Sequence, residues 1–286
     1  MKSNIPLALR ATRGAFSLLS GVAPGAAARA AHELFCTPRR SKRPDREERA
    51  LCAAEPFPVR DGLRRLAGWR WGDPAAPTVL LAHGWEGRGS QLGAFAEPLV
   101  EAGFSAVAWD APGHGDSPGR TSSLVEFVDA LWSAQRAVER GGGEVRAVVA
   151  HSFGAAATAL AFDEGLDVDA AALIAPPPSL LPYSERFRDT VRLSPRVHER
   201  MIDSMERRFK VRFSDLDVEH TTPPASTRLL VVSDEDDREV APAETERVAR
   251  HFADAERLVT SGLGHRRILR DPAVHRRVTR FVRGTA

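Results

Sequence analysis

The sequence predicts an α/β fold, a mostly parallel central sheet with helices on both faces. Three observations predict it. Short apolar, β-branched runs alternate with longer runs of helical periodicity, the pattern of successive βα units. One such run ends in a serine flanked by small residues and passes at once into an alanine-rich helical stretch. The composition, 43% hydrophobic and 27% charged over 286 residues, is that of a globular chain able to bury a sizeable core.

The elements follow in order. The first 35 residues are small and apolar, with Arg10, Arg13 and Arg29 interleaved, and Ala8, Ala11, Ala15, Leu18, Leu19 and Val22 recur at helical spacing. An amphipathic helix fits this pattern. A signal peptide is the competing reading, with Lys2, Arg10 and Arg13 leading, Ala15 to Ala23 as the apolar stretch and Ala26-Ala27-Ala28 as the cleavage site. Ser17, Ser20 and Gly21 interrupt that stretch, so a cytoplasmic protein is expected and export is the alternative. Residues 37–56 read as a charged linker, so the division expected is an N-terminal basic helical arm and linker over 1–56 and the main domain over 57–286. The core pattern starts near Leu63. Strands are expected at Thr78–Ala82, Ser105–Trp109, Val145–Ala150, Ala171–Ile174, Arg228–Val232 and Arg257–Val259. Helices are expected at Gln91–Ala102, Leu124–Arg140 and Phe153–Phe162. A small helical insertion at about 176–225 opens on Pro176-Pro177-Pro178 and closes on Pro223-Pro224. Its Phe187, Met201, Met205 and Phe209 are expected to pack it, with lining of an acyl pocket as the alternative. Its Arg186, Arg188, Arg192, Arg207 and Arg208 are expected on a solvated face.

Charge and cysteine content exclude several classes. The formal net charge is +2, too small for a nucleic-acid-binding protein, and the basic excess is local. Residues 1–60 carry 11 Lys/Arg against 5 Asp/Glu, and the remainder carries 29 against 33. Cys36 and Cys52 are too few for a disulfide framework and lack metal-ligand spacing, so no metal site is expected. No stretch reaches the ~18 to 20 apolar residues of a membrane span.

The chemistry concentrates in Val148-Val149-Ala150-His151-Ser152-Phe153-Gly154. A serine on a tight strand-to-helix turn needs small neighbours, and it sits at a helix N-terminus whose amides favour developing negative charge. The plain alternative is a helix N-cap. The run resembles the nucleophile elbow of the α/β-hydrolase fold family, Gly-x-Ser-x-Gly, with Ala150 in place of the first Gly. Leu80-Leu81-Ala82-His83-Gly84-Trp85 follows the first core strand, where that family places its oxyanion loop. The resemblance implies oxyanion donors at the amides of Trp85 and Phe153, with His83 and Gly84 in the same oxyanion and substrate-binding loop. Asp110-Ala111-Pro112-Gly113-His114-Gly115-Asp116-Ser117 resembles the family's loop after the next strand, and there His114 reads as structural.

A serine hydroxyl needs a base, and the base an orienting acid. The family's chain order is Ser, acid, His. His198, His220, His251, His265 and His275 lie downstream of Ser152, and His265 alone follows a strand in a glycine-rich loop, Ser261-Gly262-Leu263-Gly264-His265. Asp234, Glu235, Asp236 and Asp237 follow the penultimate strand. Asp237-Arg238-Glu239-Val240-Ala241-Pro242 fits the family's acid pattern best, with Asp236 and Asp234 behind it. The stretch Ile174 to Pro178 has no carboxylate, which closes the family's other acid position. The resemblance therefore implies a cofactor-free serine hydrolase acting on a small-molecule acyl substrate. Two other readings stand beside it: a non-catalytic scaffold that binds a partner, and a lipid esterase drawn to a membrane surface by its basic arm. A dehalogenase or epoxide hydrolase would carry Asp at the position of Ser152.

Overall fold

The computed structural model describes residues 7–284. In chain order the elements are α1 (Leu7–Val22), α2 (Pro24–Phe35), α3 (Asp45–Cys52), β1 (Glu55–Pro56), β2 (Val59–Asp61), β3 (Arg64–Leu66), β4 (Gly68–Trp71), β5 (Thr78–Ala82), α4 (Ala96–Glu101), β6 (Ser105–Trp109), α5 (Leu124–Arg140), β7 (Val145–His151), α6 (Phe153–Asp163), β8 (Ala170–Ile174), α7 (Leu181–Val191), α8 (Pro195–Phe209), β9 (Arg228–Asp234), α9 (Pro242–His251), β10 (Glu256–Thr260), α10 (Gly264–Arg267) and α11 (Pro272–Arg283). They form two compact units: the described part of Met1–Thr37 with Ser179–Asp217, and Pro38–Pro178 with the described part of Val218–Ala286.

The larger unit is built on an eight-stranded sheet in the order β1-β4-β6-β5-β7-β8-β9-β10. All neighbours from β6 to β10 are parallel, while β1 and β4 add an antiparallel edge. The central strands β5, β6, β7 and β8 are wholly or almost wholly buried, which is why their sequences are continuous apolar runs rather than alternating ones. One buried cluster runs from Trp71, Val79 and Leu81 through Val149 and Ile174 to Ile268, Val278 and Phe281, and the alternate strand positions Leu80, Val107 and Val148 are buried as well. The α6 helix, nearly all small or apolar residues, is buried from Gly154 to Phe162. Open parallel sheets bind ligands at the carboxyl ends of their strands, so the loops after β5, β7, β9 and β10 are the ones that matter.

Three sequence expectations need correction. The linker over 37–56 contains α3, which starts after Pro44 with Asp45, Glu47 and Glu48 in its first turn, where carboxylates favour the helix N-terminus. Leu63 is no core residue. It stands fully exposed beyond Gly62, between β2 and β3, and the inward positions there are Val59 and Leu66. The expected helix over 91–102 divides into a 3-10 helix, Gly89–Phe95, and the short α4; at the start of the 3-10 helix a Cβ on Gly89 would lie 2.8 Å from the Trp109 carbonyl oxygen.

The smaller unit is helical. There α2 packs along α8, and α1 along α7. His32 Nδ1 lies 3.0 Å from Ser204 Oγ, Phe35 meets Phe187 edge-on at 5.2 Å, and Arg13 Nε donates to the Thr190 carbonyl at 2.7 Å. Met201 and Met205 are buried there, in keeping with a packing role. Cys36 and Cys52 are both free thiols. Among the described residues no helix is long and apolar enough to cross a membrane, and no group of three His, Cys, Asp or Glu could hold a metal ion.

Candidate active site

Ser152 sits where β7 meets α6. Its amide donates to the Ile174 carbonyl at 2.8 Å, and its backbone is held at φ 52° and ψ −117°, outside the conformations an L-residue prefers. The turn is tight because α6 begins against the neighbouring strand: a Cβ on Gly154 would lie 2.4 Å from the His83 carbonyl oxygen and 2.6 Å from that of Ala82. Ala150, at the place of the elbow's first glycine, is fully buried. The loop after β5 lies against the elbow, since a Cβ on Gly84 would be 3.0 Å from Ser152 Cβ.

His83 is buried within that loop and bonds to its backbone. Its Nδ1–H donates to the Gly84 carbonyl at 2.7 Å, and its Nε2 accepts from the Ala111 amide at 2.9 Å. Both nitrogens are therefore taken in the neutral ring, and burial pushes its pKa down to about 3. The ring of Trp85, half-buried, packs edge-on against His114 at 5.0 Å and Phe153 at 5.3 Å. Among the described residues neither the Trp85 amide nor the Phe153 amide has a hydrogen-bond partner. His114 is structural, with Nδ1–H on the Pro112 carbonyl at 2.9 Å and burial holding its pKa near 4. Asp110 organises the same region: its carboxylate accepts from the amides of Gly89 and Asp116, both at 2.7 Å, and burial raises its pKa to about 6.

Asp237 and His265 meet. His265 Nδ1 lies 2.7 Å from Asp237 Oδ2, with both side chains buried. Asp237 Oδ1 accepts from the amides of Glu239 and Val240 at 2.8 and 3.0 Å, so the carboxylate is fixed in orientation. The rival carboxylates serve the loop instead. Asp234 accepts from the amides of Leu263 and Gly264 and from Thr260 Oγ1, and Asp236 accepts from the Gly262 amide. Of the other candidate histidines, His198 bonds Ser184, His251 the Thr221 carbonyl and His275 the Leu269 carbonyl. Ser152 Oγ makes no hydrogen bond to His265. The His265 backbone is instead tied to the elbow through His151, a residue the motif contains but sequence reasoning assigned no role. His151 Nε2–H donates to the His265 carbonyl at 2.9 Å, and the two rings lie 4.5 Å apart. A histidine directly before the elbow serine was the available signal.

Residues 73–216 match the family described as "Serine aminopeptidase, S33", and residues 212–285 match the "TAP-like protein" family of the same fold. The chain belongs to the α/β-hydrolase fold family. In three dimensions it is similar to an esterase of Pyrococcus furiosus, with TM-score 0.67 and 19% identity over 87% of this chain and 97% of that one. It is also similar to a Paleococcus ferrophilus monoacylglycerol lipase, with TM-score 0.57 and 20% identity over 77% and 99% of the two chains. A third likeness is to Est1E of Butyrivibrio proteoclasticus with ferulic acid bound, with TM-score 0.58 and 15% identity over 79% and 96%. At these identities the likeness is one of fold. Among curated proteins, none matches this chain significantly in sequence.

Proposed function

We propose that the protein is a serine hydrolase of carboxylic esters or thioesters, with Ser152 as nucleophile, His265 as base and Asp237 as orienting acid. The observation that carries this reading is the 2.7 Å contact between Asp237 and His265, whose ring lies 4.5 Å from that of His151, the residue before Ser152. In the reaction His265 takes the proton from Ser152 Oγ as the oxygen attacks the carbonyl carbon. The carbonyl electron pair moves onto oxygen, and the unpartnered amides of Trp85 and Phe153 receive that oxyanion. Losing one such donor costs about 2.7–4 kcal/mol of transition-state stabilisation. The intermediate collapses, the bond to the leaving group breaks, and His265 passes its proton to the departing oxygen or sulfur. Water then attacks the acyl-enzyme with His265 again as base. The Ser152–His265 hydrogen bond this requires forms as substrate binds, as catalytic hydrogen bonds often tighten only in that complex. Asp237 holds the Nδ1–H tautomer throughout and stabilises the imidazolium.

The test is turnover of p-nitrophenyl esters of several chain lengths by wild type and Ser152→Ala, alongside labelling by a fluorophosphonate. Expected are loss of turnover by about a thousandfold or more and loss of the label. Undiminished turnover in the variant would overturn the assignment.

A second reading concerns where the substrate resides. On α1 the side chains of Leu7, Leu18 and Val22 are 80%, 70% and 78% exposed and lie on one face, with Arg10 exposed nearby. That is the pattern of a helix lying in a membrane interface, which would bring a lipid ester to the enzyme.

A further inference from the structure

A cavity of about 330 Å³ lies beside the Asp237–His265 pair, and Gly84, Trp85, His151 and His265 contribute to its wall. Its character is ionic. The guanidinium groups of Arg46, Arg88, Arg266 and Arg270 border it, against the carboxylates of Glu47, Glu86 and Glu239. Two of those carboxylates are engaged in bidentate pairs: Glu86 with Arg39 at 2.8 and 3.0 Å, and Glu239 with Arg266 at 2.9 and 3.1 Å. What remains is Arg46, Arg88 and Arg270 around the one carboxylate of Glu47. That carboxylate accepts from Ser90 Oγ at 2.9 Å, while Arg46 and Arg88 approach it only to 3.6 and 3.7 Å. Positive charge is in excess.

Donors are in excess too. Arg88 is only 5% exposed and Glu47 6%. A guanidinium has five N–H donors, yet among the described residues Arg88 donates one hydrogen bond, to Ser41 Oγ, and its buried Nε has no partner. Buried polar groups are almost always satisfied, and a buried cation is costly unless it is both paired and hydrogen-bonded. Arg270 at the rim has no hydrogen bond or ion pair among the described residues, and burial together with the charges of Arg46 and Arg267 weakens its hold on its proton. A ligand that supplied negative charge and several acceptor oxygens would answer both deficits at once. Arginine forks match carboxylate and phosphate oxygens in geometry.

We infer that this cavity binds a compact oxyanion group, carboxylate or phosphate, through Arg88, Arg46 and Arg270. Its position gives that group a use. Gly84 and His265 belong to the cavity wall, and Gly84 also lies directly against Ser152. Gly84 thus borders both the cavity and the nucleophile's side chain, and the substrate role assigned to the site is that an ester carrying a short anionic branch reaches from one to the other. This substrate role rests on the serine-hydrolase reading, whereas the binding itself does not.

The experiment has two arms, run on the full chain and on the Arg46→Gln/Arg270→Gln variant, both of whose substituted side chains are exposed. In the first, inorganic phosphate and glutarate are titrated against thermal unfolding. A saturable rise in Tm is expected in the wild type, with the dissociation constant weakened roughly tenfold or more in the variant. In the second, kcat/KM is compared for p-nitrophenyl hemiglutarate and p-nitrophenyl valerate, esters of equal chain length that differ in the terminal carboxylate. The wild type is expected to prefer the anionic ester, and the variant to lose that preference by a similar factor. Success in both arms assigns the site to the substrate's own anionic group. A Tm response without ester preference assigns it to a free anion. A Tm response with neither ester hydrolysed supports the site and removes the hydrolase reading. Ester hydrolysis with no Tm response and no preference overturns the inference, leaving Arg88 and Glu47 as a structural ion pair in a water-filled cavity.

Discussion

Ser152 stores backbone strain of about 1–3 kcal/mol, and the residues on either side of it explain how that is tolerated. Its amide stays in the β-ladder, Gly154 allows α6 to start against Ala82 and His83, and His151 points its ring the other way, toward the His265 backbone. Burial, with the adjoining His265 imidazole, holds the His151 pKa well below the ordinary histidine range, so His151 is neutral near pH 7 and its one ring proton is on Nε2. Its hydrogen bond satisfies a carbonyl in the segment that carries the proposed base. Replacing His151 with Phe keeps a ring but leaves that carbonyl unpaired, at a cost of about 1–3 kcal/mol. Lower Tm and roughly tenfold lower kcat/KM on p-nitrophenyl butyrate are expected, with partial recovery in His151→Gln, whose amide N–H reaches a similar point. Equal kinetics for the Phe variant and wild type would dismiss a positioning role. The serine and its small neighbours were legible in the sequence because the elbow needs those residue types locally. The role of His151 was not, since its partner lies more than a hundred positions away.

At the scale of elements, the turn after β9 and the glycine-rich loop after β10 form one unit, stitched by Asp234. Burial alone would raise its carboxyl pKa, but hydrogen bonds from the Gly264 amide, Thr260 Oγ1 and the Asp236 and Leu263 amides outweigh burial and hold it below the ordinary carboxylate range. A carboxylate depressed in the folded state contributes stability that is complete above the ordinary carboxylate range and is lost as pH falls through it and below. Asp234→Asn should therefore lower stability near neutrality by about 1–3 kcal/mol and flatten the fall in Tm between about pH 5 and pH 3. Parallel Tm profiles for variant and wild type would show that the loop does not depend on this charge. The sequence placed four carboxylates, Asp234, Glu235, Asp236 and Asp237, within reach of this role. Only the return of the chain through β10, bringing Gly262, Leu263 and Gly264 to Asp236 and Asp234 and the His265 ring to Asp237, separated the stitching residues from the one that meets the imidazole.

At the scale of the whole molecule, the basic arm and the helical insertion, far apart in sequence, fold as one helical unit. Ala27 and Ala31 of α2 and Val197 and Met201 of α8 are buried there, so α2 is part of a packed core rather than a free tail. The exposed apolar residues of α1 are then what a membrane reading must rest on. Full-length protein is expected to pellet with vesicles of mixed phosphatidylcholine and phosphatidylglycerol, and Leu7→Gln/Leu18→Gln/Val22→Gln to remain in the supernatant. If the wild type also stays in solution, the arm serves only its own helical unit.

By itself the sequence determined the strand run from β5 to β10, the fold family, and the placement of a serine and a histidine in turns suited to them, because local periodicity and small-residue requirements are written in neighbouring positions. Tertiary structure decided which acid meets His265, that His83 supports a loop, that α1 and α2 join the insertion, and that Arg88 is buried with too few partners. Each of those depends on distances between segments remote in the chain, and neither composition nor spacing encodes such distances.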